Sequence, residues 1–340
     1  MREGGRERRA LVAALLGLVA GAACGAPPPK VEPPPAPPLD LASLDRLATS
    51  AGLVWMVRAR PRDIAATPFL IPSIGKILPE ARLDVFTRRM GLDPRQVREV
   101  ILLRYGEALG DSEAQLARHD VDPALLERRF FERLSSDAER KVDHPELIRV
   151  SGTIGRTKHA FARLGRDVVA YQQRGDAARG AVAIASLFVR GRLTKVLRLL
   201  SSEPLASLIA RFGDAPVIAA ALGPFDDEWK TGARGLLEIA TAVGAAARPT
   251  ARDHVGLSLA LTGGFGADAA KAAEVLREAW LDVASTTIGH LLGLDRPVEP
   301  PLTAGHQEVM TLAIELDPAR LTEGLKALVE RDLDAIMNLP

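Results

Sequence analysis

The sequence predicts an α+β fold in which a mostly antiparallel sheet packs against long helices rich in Ala and Leu. Two observations lead to this prediction. Two segments alternate apolar with less apolar residues, which is typical of strands with one buried face. Such alternation favours an antiparallel sheet over a doubly wound parallel one. Strand-like and helix-like patterns also follow one another along the whole chain after Pro38.

Eight segments are predicted as strands. The clearest alternation covers residues 255–262, and residues 310–316 repeat it. Residues 53–57 and 97–105 are rich in β-branched, aromatic and other apolar side chains, which favour strands. The remaining candidates are residues 113–119, 148–155, 168–171 and 216–222.

Four helices are predicted from their start signals and apolar spacing. Asp122 and Pro123 suit the N-cap and first turn of a helix over residues 123–134. Asp317 and Pro318 repeat this start near the C-terminus. The longest helix is predicted over residues 268–292 with Gly293 as its stop, and another over residues 225–244.

The two Asp-Pro helix starts each follow a strand-like segment. This pattern suggests a duplicated strand–helix unit and two similar lobes, over residues 39–211 and 212–340. Repeated use of a good helix cap explains the pattern equally well.

The N-terminus has the features of an export signal. Residues 1–9 contain four arginines, and the next 14 residues carry no charge. This uncharged run is too short for a helix across a bilayer, which needs roughly 20 apolar residues. A basic start, a short apolar run and small residues at its end are typical of a signal peptide, predicted here as residues 1–23. No transmembrane helix is expected after it.

The uncharged run ends at Cys24, the only cysteine, within the sequence Gly-Ala-Ala-Cys. This segment resembles the signal of bacterial lipoproteins, which is cut just before a cysteine that then carries the lipid. The resemblance implies lipidation of Cys24, and Gly25, standing where some family members have Asp, favours the outer membrane. Gly21 replaces the usual Leu, so ordinary signal cleavage near Ala22 stays open. The resemblance covers only the signal itself.

Residues 26–38 contain eight prolines. Proline-rich chains favour the extended polyproline II conformation, so this stretch spans roughly 40 Å at about 3.1 Å per residue. Residues 24–38 are therefore predicted to be the lipidation site and a spacer, and residues 39–340 the mature α+β region.

Composition excludes several classes of protein. The 340 residues include 44 Lys and Arg against 43 Asp and Glu, so nothing favours nucleic acid as a partner. One cysteine excludes a disulfide scaffold and a Cys-rich metal site. Charge is unevenly spread, because residues 149–211 hold 12 basic and 3 acidic residues while residues 212–340 hold 10 and 19.

Two interpretations of this charge distribution stay open. The basic stretch either is solvated beside the acidic C-terminal part or faces an anionic component of the cell envelope. Arg58, Arg60 and Arg62 would share one face if the first strand extended that far, although Pro61 argues against it.

No motif for catalysis or cofactor binding is found. The chain lacks a dinucleotide fingerprint, a phosphate loop, a nucleophile elbow and the His-Glu-x-x-His motif. His119, Asp120 and Asp122 lie close enough in sequence to suggest a metal site, but Asp122 is better explained as a helix cap. His254 is expected in a surface turn. No catalytic residue, metal or cofactor is predicted.

Three other features are assigned structural roles. Trp55, Trp229 and Trp280 are expected in the core. Residues 263–266 read Gly-Gly-Phe-Gly, for which a tight turn is preferred over anion binding. The acids at 226–228 suit the N-terminus of the helix predicted there.

The sequence therefore predicts a membrane-tethered lipoprotein of the cell envelope with a non-enzymatic binding or assembly role. It would be exported to the periplasm or cell surface and anchored to the outer membrane through its lipid. Its further partner would be an anionic envelope component or another envelope protein. A periplasmic carrier of a hydrophobic ligand, an envelope hydrolase, and a soluble periplasmic or secreted form are the alternatives.

Overall fold

A computed structural model describes residues 39, 41, 43–135, 137–225 and 233–337. These residues belong to one compact unit. The predicted signal peptide, Cys24, the proline-rich spacer, the acids at 226–228 and Trp229 lie outside the described residues.

Twelve strands of the described part form a single sheet. Every neighbouring pair is antiparallel, as the alternating segments predicted. The strand order is β11-β12-β10-β9-β8-β1-β2-β3-β7-β6-β5-β4. The strands are β1 Leu53–Ala59, β2 Val97–Tyr105, β3 Glu113–His119, β4 Glu139–His144, β5 Leu147–Ile154, β6 Thr157–Leu164, β7 Val168–Gln173, β8 Val217–Leu222, β9 Ala240–Pro249, β10 Val255–Gly263, β11 Leu302–His306 and β12 Val309–Leu316.

Ten α-helices of the described part accompany the sheet. Eight have 4 to 11 residues, whereas α8 has 16 and α10 has 20. The helices are α1 Pro61–Ala65, α2 Ile71–Ile77, α3 Glu80–Met90, α4 Pro123–Phe131, α5 Ala181–Val189, α6 Leu205–Phe212, α7 Leu236–Ile239, α8 Ala269–Ala284, α9 Thr287–Leu292 and α10 Pro318–Met337.

The first face of the sheet carries the main core. Met56 and Leu103 point to this face from β1 and β2 and are almost fully buried. They belong to one apolar cluster with Leu44, with Phe188 of α5 and with Leu208 of α6. This cluster continues to Ala260 of β10, so it crosses the predicted lobe boundary at residue 211.

The second face of the sheet is covered by helices at its two sides. Phe130 of α4 packs on Phe161 of β6, with ring centroids 5.2 Å apart. On the other side, Leu276 and Trp280 of α8 lie in an apolar cluster with Leu312 of β12. Trp280 is therefore a core residue, as its apolar spacing predicted.

Trp55 is not in the core, contrary to the prediction for it. Its side chain is 37% exposed on β1, in the middle of the second face. Val57 and Leu102 point to the same face and are partly exposed as well. The period-two pattern identified the strand correctly, but it could not show that the helices on this face lie to either side of β1.

The helix predicted over residues 225–244 is wrong beyond Ile239, and residues 226–232 lie outside the described residues. A short helix ends at Ile239, and β9 begins directly afterwards at Ala240. The small residues of β9 fit a crowded position, because a Cβ on Gly244 would lie 2.6 Å from the ring of Phe212. Pairing with β8 and β10 outweighs the helix propensity of an Ala-rich segment.

The helix predicted over residues 268–292 is two helices, α8 and α9. Thr286 has an extended backbone and caps α9, because its hydroxyl accepts a hydrogen bond from Gly289 at 3.0 Å. Ser285 and Thr286 also donate to carbonyls of the last turn of α8. Gly293 ends α9 in the left-handed conformation, as predicted. The longest described helix is α10 instead.

The two halves of the sheet follow the same order of connection. In each half three strands pair in succession, a helix follows the third strand, and the last strand returns to pair with the third. The last strands are β7 and β12, followed by α5 and α10. Asp122 follows the third strand of its half whereas Asp317 follows the last, so the two Asp-Pro starts are not equivalent positions.

Candidate functional site

An apolar cavity of about 230 Å³ lies between the second face of the sheet and the helices α2 and α10. Its walls are almost entirely carbon. The lining residues are Ile64, Leu70, Ser73, Ile74, Ile77, Pro216, Val217, Ala247, Arg248, Pro249, Val255, Pro318, Leu321, Thr322 and Leu325.

The floor of the cavity comes from the ends of three neighbouring strands. Val217 of β8 lies opposite Ala247 of β9, and Val255 of β10 lies opposite Pro249. Because strand side chains alternate between faces, Val217, Ala247 and Val255 all point to the second face. Ala247 is small, and a small residue at this position leaves space above the sheet.

The two helices over the cavity are fixed by different local features. Asp317 caps α10, because its carboxylate accepts a hydrogen bond from the backbone of Ala319 at 2.7 Å. Leu70, Ile74 and Ile77 recur at helical spacing and give α2 its apolar face. Lys76 of α2 and Glu323 of α10 form an ion pair at 3.0 Å, which links the two helices.

The sheet surface beyond the cavity is apolar and partly exposed. Trp55, Val57, Ala219, Ala221 and Val243 all point to the second face and retain contact with solvent. The cavity therefore adjoins a longer, partly exposed apolar surface on the central strands.

A second cavity, of about 410 Å³, lies on the other side of α1 and is lined by charged side chains. Both cavities share a wall, because Arg60 donates its backbone N–H to Pro216 at 2.8 Å. The lining residues of this arginine cleft are Arg58, Arg60, Arg62, Asp63, Arg98, Glu99, Arg118 and Asp214.

The arginines of the cleft do not share one strand face. β1 ends at Ala59, and Pro61 starts α1, so Arg60 and Arg62 lie outside the strand. Arg58 and Arg118 instead project from β1 and β3 on the first face of the sheet, on either side of Glu99 of β2.

Most of these arginines are paired with carboxylates. Arg98 lies 2.6 Å from Asp167 and 3.0 Å from Asp120, which also pairs with Arg62. Arg118 donates to the carbonyl of Leu41 at 2.8 Å, close to where the described chain begins. The cleft is therefore close to electrically neutral.

Glu99 stands out among the acids of the cleft. Burial raises the pKa of its carboxyl, and the charges of Arg58 and Arg118 oppose that rise. It lies opposite Arg118 in the β2–β3 register.

His119, Asp120 and Asp122 do not converge on a metal. The buried imidazole of His119 accepts a hydrogen bond from the backbone of Val121 at 3.2 Å, and burial lowers its pKa. Asp120 pairs with Arg62 and Arg98, and Asp122 caps α4 by accepting from Ala124 at 2.9 Å. Among the described residues, no group of three or more His, Cys, Asp or Glu could hold a metal ion.

Two other sequence candidates have structural roles. His254 lies in the β9–β10 turn, with Nδ1 3.2 Å from Glu315. The glycine-rich segment at 263–266 is a tight turn, since Phe265 donates to the carbonyl of Gly263 at 3.0 Å. A Cβ on Gly263 would lie 2.5 Å from the carbonyl oxygen of Ile239, so close backbone approach requires glycine here.

No family model matches this chain, and no curated protein does. Three crystal forms of TP0453 are similar in fold. Form III has a TM-score of 0.49 at 10% identity over 84% of this chain and 98% of that chain. Form IV has 0.47 at 9% over 85% and 96%, and form I has 0.43 at 10% over 84% and 97%.

All three TM-scores lie below 0.5, so this likeness supports no functional argument.

One further observation concerns membranes. In the described ranges, no helix combines the length and apolarity needed to cross a bilayer.

Sequence reasoning missed the segment that builds the cavity, residues 61–90. A signal for α2 was present in the spacing of Leu70, Ile74 and Ile77. The cavity itself has no local signature, because its walls come from α2, the ends of three strands and α10, which lie far apart in the sequence.

Proposed function

We propose that this chain is a non-enzymatic binding protein of the cell envelope, tethered through Cys24, whose domain takes up an apolar segment of a ligand. The observation that carries this proposal is the cavity between α2, α10 and the sheet. The function is that of a carrier for a hydrophobic ligand, held near a membrane by its N-terminus.

The size and lining of the cavity support an apolar occupant. An apolar cavity of about 150 Å³ stays dry and binds benzene-sized molecules. The cavity here is larger, at about 230 Å³. Each methylene group transferred from water to such a site contributes about 0.8 kcal/mol. Polar ligands would gain little from this site, because its walls offer few hydrogen-bonding groups.

The surface next to the cavity supports a ligand longer than the cavity. Trp55 and Val57 continue the apolar floor along β1 and remain partly exposed. An acyl chain that begins in the cavity could extend over this surface and cover it.

The strand order supports a second part of the proposal, that the domain consists of two similar halves over residues 39–211 and 212–340. Each half has three paired strands and a last strand that returns to the third. The halves share one sheet and one main core, so the proposed lobes are parts of one body.

Ligand binding is tested with the full-length chain and a fluorescent fatty acid. We expect Ala247→Leu, which fills the cavity floor, to weaken binding of the probe at least about tenfold, since filled volume excludes the chain. Ala304→Leu is the matched control, because Ala304 is exposed on β11 and does not line the cavity. Equal binding by both variants, or no binding by the unaltered chain, would contradict the proposal.

The tether is tested separately by the intact mass of the protein extracted from membranes. We expect a mature N-terminus at Cys24 with added acyl mass, which Cys24→Ala abolishes. An unmodified N-terminus would leave the carrier proposal in place and remove the anchor from it.

A further inference from the structure

A segment with basic residues and no acidic ones covers α5, the residues just before it and most of its connection to α6. Residues 177–202 hold five Lys and Arg and no Asp or Glu. They are Arg179, Arg190, Arg192, Lys195 and Arg198. The segment from 190 to 198 is called the basic loop below.

Two cations of the basic loop are available to an external partner. Arg192 and Lys195 are both exposed. Within the described residues, no carboxylate lies within 4.0 Å of either side chain. The flanking cations are used internally, since Arg190 lies 3.8 Å from Asp143 and Arg198 lies over the ring of Phe188 at 5.2 Å.

An exposed apolar side chain lies two residues after Lys195. Leu197 is 57% exposed, although its neighbours Val196 and Leu199 pack into the main core. A membrane surface has anionic head groups above acyl chains. Cations can bind the head groups while a neighbouring exposed leucine contacts the acyl layer.

The basic loop is fixed to the N-terminal part of the domain. Thr49 and Arg198 form an antiparallel bridge, and Leu199 donates to the carbonyl of Ala48 at 2.9 Å. Leu41 lies elsewhere, near the turn at Gly165, where Arg118 donates to its carbonyl at 2.8 Å. The chain between Leu41 and Thr49 therefore connects the loop to the point where the spacer joins the domain.

The length of the spacer limits how far this part of the domain can lie from the lipid. Residues 24–38 number 15 and reach roughly 45 Å even when fully extended as polyproline II. Any exposed surface of a domain held by a tether this short meets the membrane at high effective concentration.

We propose that the basic loop is the surface by which the domain contacts the anionic head groups of the membrane that holds its tether. The proposal rests on the proposed anchoring at Cys24 but not on the apolar cavity. The partner is a lipid surface, recognised through phosphate charge by Arg192 and Lys195 and through its acyl layer by Leu197.

The experiment measures vesicle binding by the full chain carrying Cys24→Ala, so that no lipid anchor contributes. Vesicles of phosphatidylcholine alone are compared with vesicles that also contain phosphatidylglycerol. We expect binding only to the anionic vesicles, with an affinity that falls as salt is added, because screening weakens attraction to an exposed charged surface.

The decisive variant combines Arg192→Gln with Lys195→Gln. A cation near an anionic bilayer contributes about fivefold to partitioning, so we expect about a 25-fold loss for the pair. The matched control combines Arg156→Gln with Lys271→Gln, which removes the same charge from two other exposed residues. Exchanging the two residues as Arg192→Lys with Lys195→Arg should preserve binding.

Three outcomes would overturn the proposal. They are equal binding to neutral vesicles, an equal loss in the control variant, and full competition by inorganic phosphate at constant ionic strength, which would indicate a site for a free anion. A protein without a lipid on Cys24 would be recognised separately, from its intact mass. That result would leave the vesicle measurement unchanged, because the protein used there carries Cys24→Ala.

Discussion

His159 is buried beside the partly buried Tyr171 on the second face of the sheet, with the imidazole Nδ1 2.7 Å from the phenolic oxygen. Burial, together with the positive charge of Arg133, lowers the pKa of His159 to about 4. Within the described residues, the other ring nitrogen has no hydrogen-bond partner. The imidazole is therefore neutral in the folded protein at neutral pH.

This histidine makes stability depend on pH. The unfolded imidazole takes up a proton near its ordinary pKa of 6.5, whereas the folded one does so near 4. Between these values the unfolded state binds more protons, so the free energy of unfolding falls as pH falls, by at most about 3 kcal/mol.

We expect His159→Gln to flatten this decrease, as measured by urea unfolding at pH 7 and at pH 4.5. Buried His119, whose pKa is also lowered, keeps part of the dependence in the variant. His306→Gln, at an exposed position on β11, is the control. A slope that is the same in both variants would show that His159 does not set it.

At the scale of single residues, sequence reasoning succeeded where a side chain acts on its own neighbours. Asp122 and Asp317 cap helices as expected, because a cap needs only the next two or three residues. Trp55 could not be placed, since its exposure depends on where distant helices lie.

At the scale of elements, glycines mark where α9 and α10 approach each other. A Cβ on Gly324 of α10 would overlap the carbonyl oxygen of Leu291 in α9. Gly75 of α2, by contrast, has open space where its Cβ would be. Replacing glycine by alanine should therefore have opposite effects on the free energy of unfolding at Gly324 and at Gly75.

We expect Gly324→Ala to lower the free energy of unfolding by about 1–3 kcal/mol, because the helices must move apart. Gly75→Ala should raise it by about 0.5–1 kcal/mol, because alanine restricts the unfolded chain and favours the helix. Chemical denaturation of both variants measures this. Destabilisation by both would mean that α2 is packed more tightly than its geometry indicates.

The predicted strands were the most accurate elements. Residues 97–105 and 113–119 form β2 and β3 with the predicted bounds. Residues 240–244 were wrongly predicted as the end of a helix, because Ala and Gly show no apolar periodicity, and pairing with β8 and β10 decides their conformation. Local patterns thus identified the sheet, while the helices over the cavity depended on contacts between distant segments.

At the scale of the whole molecule, the described sheet has two edge strands, β4 and β11. β4 has the sequence Glu-Arg-Lys-Val-Asp-His, and its Val142 is 57% exposed. Charged side chains on an edge strand, lysine above all, hinder pairing with the edge of another molecule. Lys141 is exposed and lies next to Val142.

We expect Lys141→Val to increase self-association, because the edge then presents two adjacent valines, which favour strand pairing, in place of a lysine. Light scattering at rising protein concentration measures the effect. Lys271→Val, which removes the same charge from the exposed face of α8, should leave the molecule monodisperse. Association of both variants would show that net charge rather than the edge controls solubility.

The pairing of β1 with β8 at the centre of the sheet has a consequence for the origin of the chain. These are the first strands of the two halves, and they run antiparallel. A two-fold axis between them would relate β1, β2, β3 and β7 to β8, β9, β10 and β12 in the strand order, although one half has seven strands and the other five. A shorter ancestor with only one half could have built the same sheet as a homodimer, with its first strand paired to its own copy. Gene duplication and fusion would then have freed each half to diverge, one to keep the cavity floor and the other to carry the basic loop.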